Sequence, residues 1–126
     1  MVVVFANNQT MVAMFSIGST VITTDPVPLR GNDRASCILN THSIFATGGT
    51  PRLTYQAQVS NDGGPNFVDA GGVTDLTTTT GLRRLVATLN GAALIRFRYT
   101  LDWQAGGAGS DIAACCFDLH VDLDHV

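Results

Sequence analysis

The sequence predicts an all-β fold: a single antiparallel β-sandwich, jelly-roll or immunoglobulin-like, of about eight strands with little or no helix. Three observations lead there. The seven basic residues are all Arg and the ten acidic residues all Asp, so Lys and Glu, common on exposed helices, are absent. Thr, Val, Asn and Gly take their place, the residues of strands and tight turns. Apolar and polar residues alternate with a period of two along several segments, and Gly, Asn, Asp and Pro fall between them. With 126 residues, 45% of them hydrophobic, the chain has the length of one domain and the means to bury a core.

Taken in order, Val2–Ala6 and Met11–Ile17 are short apolar runs parted by the turn-like Asn7-Asn8-Gln9. Val21–Thr24 follows Gly18-Ser19, and Asp25-Pro26-Val27-Pro28 must be extended or turning because each Pro restricts itself and its predecessor. After the loop Arg30–Asp33, the stretch Ala35–Thr47 is rich in strand formers but mixed on both faces, which predicts a bend or change of sheet near Asn40–His42. In Leu53–Ser60 the residues Leu53, Tyr55, Ala57 and Val59 alternate with Thr54, Gln56, Gln58 and Ser60, the pattern of a strand wet on one face. Asn61–Asn66 turns the chain and Phe67–Ala70 resumes it. In Leu82–Leu89, Leu82, Arg84 and Val86 compete with Leu85, Ala87 and Leu89 for the core.

The last third alternates most regularly. Ile95, Phe97, Tyr99, Leu101 and Trp103 share one face; so do Ala113, Cys115, Phe117, Leu119, Val121 and Leu123. An antiparallel hairpin of these two strands sets Phe97 opposite Phe117, Ile95 opposite Leu119 and Arg96 opposite Asp118, so core pairs and a charge pair agree in one register.

Charge bounds the partners. The net charge is -3 and no Arg run exceeds Arg83-Arg84, so nothing recommends nucleic acid. No stretch is long and apolar enough to span a bilayer, and residues 1–22 lack the basic start of a signal peptide, so no membrane partner and no secretory export are expected. Charged residues make up 13% of the chain against about 25% in ordinary domains, which fits a surface partly hidden by a partner or else one rich in Thr, Asn and Gln. No charged residue precedes Asp25, marking residues 1–24 as an uncharged interface arm. The interface candidates are Val2, Val3, Val4, Phe5, Met11, Met14 and Phe15; the other reading makes the same segment two core strands.

Chemistry is sparse. Asp118, His120, Asp122 and Asp124 share a strand face, but same-face neighbours sit about 7 Å apart, too far for more than two to share an ion. A solvated polar face is the better reading. Cys37, Cys115 and Cys116 cannot all pair, and adjacent Cys115 and Cys116 point to opposite faces, so buried free thiols are expected. Neither Cys115 nor Cys116 can reach His120 along an extended strand. Asp62 in the Asn61-Asp62-Gly63 turn offers a ligand for calcium or a sugar hydroxyl, though such residues chiefly build turns. No nucleophile elbow, phosphate loop or Cys-x-x-Cys motif is present, so no enzyme, cofactor, metal or small-molecule substrate is expected.

The segments Gln56–Gly63 (QAQVSNDG), Asn66–Asp69 (NFVD) and Leu89–Leu101 (LNGAALIRFRYTL) together resemble β-sandwich structural proteins of tailed-bacteriophage virions, of the head-decoration or minor-capsid type. In such modules a strand enters a Ser-Asn-Asp-Gly turn, returns through an aromatic-x-Asp, and is followed by a strand bearing Arg-x-Arg. The likeness lies within residues 56–101. It implies a virion protein, assembled in the host cytoplasm, whose partners are the major capsid protein and copies of itself, with no catalytic residues. Two alternatives belong to other classes: a carbohydrate-binding or adhesion module stacking a sugar on Trp103, Tyr99 or Tyr55, and a coat protein that forms shells alone.

Overall fold

The computed structural model describes the backbone of residues 1–125 and the side chains of all of these except 71–73. The strands are β1 (Val2–Met14), β2 (Thr20–Thr23), β3 (Val27–Pro28), β4 (Arg34–Ala46), β5 (Thr50–Ser60), β6 (Val68–Thr77), β7 (Gly81–Thr88), β8 (Leu94–Ala105) and β9 (Ile112–Asp124). One sheet has the order β1-β9-β4-β7; the other has β2-β8-β5-β6, with the two-residue β3 also joined to β8.

The connectivity has a simple logic. β1 pairs with β9, β2 with β8, β4 with β7 and β5 with β6, all antiparallel. The strands are thus matched from the chain ends inward to the turn between Ser60 and Val68. The chain is one long ribbon folded at that turn, and the further pairings β4–β9 and β5–β8 roll the ribbon into two sheets. This is a jelly roll, an antiparallel β-sandwich.

Alternation carries the packing. Ile95, Phe97, Tyr99 and Leu101 of β8 face Phe117, Leu119, Val121 and Leu123 of β9 from opposite sheets, and each is fully buried. Tyr99 meets Phe117 edge-on at 4.9 Å between ring centres, and Phe5 meets Phe97 at 4.8 Å. Such aromatic pairs add to the burial of their own area.

Here the structure corrects the hairpin expected from the sequence. β8 and β9 lie in different sheets, so Phe97 is not paired with Phe117, nor Ile95 with Leu119. Arg96 donates from Nε to Gln58 Oε1 at 2.9 Å and stacks 3.9 Å over the Phe67 ring. Asp118 stands on the other sheet among Asn8, Asn40 and His42. The faces were read correctly but the neighbours were not, because alternation says which side of a strand is buried and not which strand lies beside it. The connection between β8 and β9 is no tight turn: Gly106, Gly107 and Gly109 take positive φ and carry the chain across the sandwich. At Gly107 a Cβ would collide with Phe15 and Trp103.

The mixed faces of β4 resolve as a β-bulge. Its pairing with β9 slips between Thr41 and Ser43, so Cys37 and Leu39 point inward before the bulge while Phe45 points outward after it. β5 differs from expectation on its outer face: Gln56, Gln58 and Ser60 are buried, covered by the Arg96, Phe67 and Asp69 side of the neighbouring strands. Among Leu82–Leu89, Leu85, Ala87 and Leu89 go inward, leaving Leu82 and Val86 exposed.

Phe117→Ala is expected to cost about 3–5 kcal/mol by emptying the centre of the core. Tyr99→Phe, which removes only the hydroxyl bonded to Phe5 O at 3.1 Å, should cost about 1 kcal/mol. Urea unfolding monitored by Trp103 fluorescence measures both.

Candidate interaction surface

The exposed large apolar side chains are unevenly spread. Seven of the thirteen among the described residues lie in residues 1–24: Met1, Val2, Val4, Val12, Phe15, Ile17 and Val21. None of these 24 residues has a charged side chain. Residues 2–14 do not form a free arm; they are bonded along β9 as the end strand of their sheet. Their apolar residues alternate between core and solvent like those of any edge strand.

The seven interface candidates therefore divide. Val2 and Val4 point outward, at 64% and 52% exposure. Phe15 is partly exposed beyond β1 and packs edge-on against Trp103 at 5.2 Å. Val3 and Phe5 lean on the core, and Met14 is half-buried. Met11 is buried in the core, where no partner can reach it. Sequence reading missed Val12, Ile17 and Val21, whose exposure needs the register and the loop course to be seen.

β1 carries an irregularity fixed from both sides. Its pairing with β9 slips between Val4 and Ala6 and again between Ala6 and Gln9, and Asn8 takes a φ of 49°. Phe5 falls between partners, and the Tyr99 hydroxyl donates to its carbonyl from across the core. Outside, the Asn8 N–H donates to Asp118 Oδ1 at 2.6 Å, while His42 Nε2, in the bulge of β4, lies 2.8 Å from Asp118 Oδ2. One carboxylate thus joins the bulges of both flanking strands.

The other acidic residues of this face also have individual partners. Arg34 grips Asp124 through two bonds of 2.8 and 2.7 Å, and the Met1 ammonium lies 3.3 Å from Asp122. The row of carboxylates is therefore a set of separate strand-to-strand contacts. Asp62 likewise serves its own turn, accepting from Ser60, Gly64 and Asn66. On β6, Asp75 accepts from Arg83 and from the hydroxyl of buried Tyr55.

The two buried thiols are chemically quiet. Burial pushes Cys37 up to about 12 and Cys115 up to about 11, leaving both protonated at neutral pH. Cys116 points outward, and all three are unpaired by disulfide. Tyr55 and Tyr99 are fully buried and cannot stack on a sugar, while Trp103 is half-buried, its indole N–H bonded to Gly48 O at 2.9 Å and its ring edge-on to Phe15.

The outer faces of the two sheets contrast. On β1-β9-β4-β7, Val2, Val4, Val12, Phe45, Leu82, Val86 and Ile112 are exposed. A shallow groove of about 510 Å³ runs over this face, lined by Val2, Ser36, Ile38, Arg84, Val86 and His120 among others. The two central strands of the other sheet, β8 and β5, present Arg52, Thr54, Arg96, Arg98, Thr100 and Asp102, with Arg52 and Asp102 in a two-bond ion pair.

The chain is thus a jelly-roll β-sandwich in which one outer face sets exposed apolar side chains between charged ones, and one edge has no charged side chain. No protein-family profile matches it, and no curated protein does. Among solved structures it is similar to viral capsid proteins of the same β-sandwich fold. The VP2 subviral particle of infectious bursal disease virus superposes with a TM-score of 0.60 at 15% identity, over 99% of this chain and 32% of that one. The Gt strain of the same virus gives 0.56 at 13% identity, over 99% of this chain and 31% of that one. The chain spans about a third of the length of these capsid chains. A CBM4 carbohydrate-binding structure aligns at a TM-score of 0.46.

The carboxyls of Asp118 and Asp124 are held below their usual range, the first chiefly by the Asn8 N–H and then by His42, the second chiefly by Arg34. A carboxyl whose folded pKa is depressed stabilises the fold above its unfolded value of about 4, and the contribution fades as pH falls through the lower folded value. The stability of the protein should therefore drop as pH falls below about 4. Asp118→Asn should be less stable than the parent at neutral pH, with the gap closing in acid. Thermal melts across pH measure this, and a gap that stays constant would contradict it.

Proposed function

We propose that this chain is a virion structural protein, a capsid decoration or minor capsid subunit that stabilises a shell by binding capsid neighbours and copies of itself. The observation that carries the reading is the uncharged edge formed by residues 1–24, where seven of the thirteen exposed large apolar side chains among the described residues collect. Monomeric proteins rarely leave such surface in water, and an uncharged rim favours protein neighbours over nucleic acid or anionic lipid. The jelly roll shared with VP2 supports the same reading at the level of fold, as does the likeness to phage virion proteins over residues 56–101. The proposed role calls for no catalytic group: the buried thiols are protonated, and Asp62, Asp75, Asp118, Asp122 and Asp124 each hold a structural partner.

In this reading Val2, Val4, Val12, Phe15, Ile17 and Val21 are covered on assembly, each adding contact area without a charge to desolvate. The protein acts by removing apolar surface from water between neighbours, so that separating them must expose it again.

The test is to purify virus particles from the source and look for the chain by mass spectrometry and immunogold labelling. Presence on the particle surface supports the reading, and absence from particles overturns it. Electron microscopy of the chain alone separates a decoration protein, which stays small, from a coat that forms shells. Val12→Asp and Ile17→Asp, at 61% and 83% exposure, should leave stability within about 0.5 kcal/mol while lowering incorporation into particles.

A further inference from the structure

The outer face of β1-β9-β4-β7 can be read row by row across the sheet. Up to the bulge of β4, Arg34 and Asp124 are paired in one row; the next runs Val2, Asp122, Ser36, Val86; the next Val4, His120, Ile38, Arg84; and the one after holds Asp118, Asn40 and Leu82. Two properties of these rows are informative. Every carboxylate of the face stands on β9, while β1, β4 and β7 contain no acidic residue at all. Both ends of the second row are exposed valines.

We infer that this face docks on the same face of a second copy, about a twofold axis that runs parallel to the strands between β4 and β9. The inference deepens the proposed self-association by naming its surface. A twofold contact sets each residue against a fixed counterpart. With this axis β9 lies over the partner copy's β4, and β1 over its β7. Asp124 then faces the second Arg34, Asp122 faces the second Ser36, and Asp118 faces the second Asn40, so each acid meets a cation or a hydrogen-bond donor. Val2 covers Val86 of the other copy. The Arg84 guanidinium makes no ion pair among the described residues, and it lies over Val4, one row along and one strand across, about 8 Å in the plane of the sheet, from Asp122 in the other copy, within the reach of the long Arg side chain.

Charge also selects this axis over its rival. A twofold perpendicular to the strands would lay β9 on its own copy and bring Asp118, Asp122 and Asp124 against like charges, which destabilises an interface. Aligned sheets pack about 10 Å apart at a modest angle, which keeps facing rows in approximate coincidence. The groove over Ser36 and Ile38 is the space that the other copy's Asp122 and His120 would enter, with Val2 and Val86 of the two copies closing its sides, and the polar face of β8 and β5 stays in water.

Sedimentation velocity on the purified chain tests this without any virus. The parent should show a reversible monomer–dimer equilibrium. Arg84→Asp and Asp122→Arg should each weaken the dimer about tenfold, and the double variant, which restores opposite charges across the contact, should recover it. Val86→Arg should abolish it, with circular dichroism and melting temperature showing an intact fold. A parent that is monomeric at every soluble concentration overturns the inference, as does a dimer indifferent to all these changes. A charge-swap dimer from a chain absent from virus particles would uphold this surface while sinking the virion reading, so the two fail separately.

Discussion

The pairing of the first long strand with the last is the constraint on which the rest of the structure depends. β1 and β9 are joined from Val2–Asp122 to Met14–Ile112, and Met1 and Leu123 exchange backbone hydrogen bonds beyond them. This contact places Ala6, Met11 and Ala13 beside the buried face of β9. Phe117 is then held where Tyr99 can meet it from the opposite sheet. Only β5 and β6 pair close in sequence; every other pairing waits on loops of increasing length. Such non-local topology folds slowly, because loop entropy is spent before contacts repay it.

A long, uncharged end strand is a hazard, since its unpaired backbone groups invite any passing strand. Here the hazard is answered by shape rather than by charge. The slips on either side of Ala6 and the left-handed Asn8 break the free edge of β1 into two short stretches. Tyr99 secures the irregularity from the core side and Asp118 from the solvent side, so it persists as part of the fold. The apolar side chains of β1 can then be offered to a neighbour without offering a continuous backbone edge. Asp118 has the further effect of tying β1 and β4 together through the strand between them.

Much of this was legible in the sequence, and what was not has a common cause. Period-two alternation identified the buried faces of β8 and β9 residue by residue, because burial on one side of a pleat leaves that imprint directly. The mixed faces around Asn40–His42 announced the bulge of β4 for the same reason. Alternation is silent on neighbours, so Arg96 and Asp118, a good match by charge and spacing, turned out to lie on opposite outer faces. Gln56, Gln58 and Ser60 read as wet although other strands cover them, since polarity alone does not reveal a roof. Of the interface candidates, which were chosen for missing charge, Val2, Val4 and Phe15 are exposed, whereas Met11 went to the core because the slips on either side of Ala6 shift which positions point inward. The face that Ile38, Leu82 and Val86 form together exists only once four strands from distant parts of the chain are set side by side.

The antiparallel closure of β1 on β9 also determines how the molecule bears force. Tension applied between Met1 and Leu123 would load their hydrogen bonds one at a time and unzip β1 from the end, a path with little resistance. Tension applied across the sandwich, pulling one sheet from the other, would have to expose the whole aromatic interior at once. Compression normal to the sheets meets that same close-packed layer. The domain is therefore mechanically anisotropic: weak to peeling at its paired ends and stiff through its thickness.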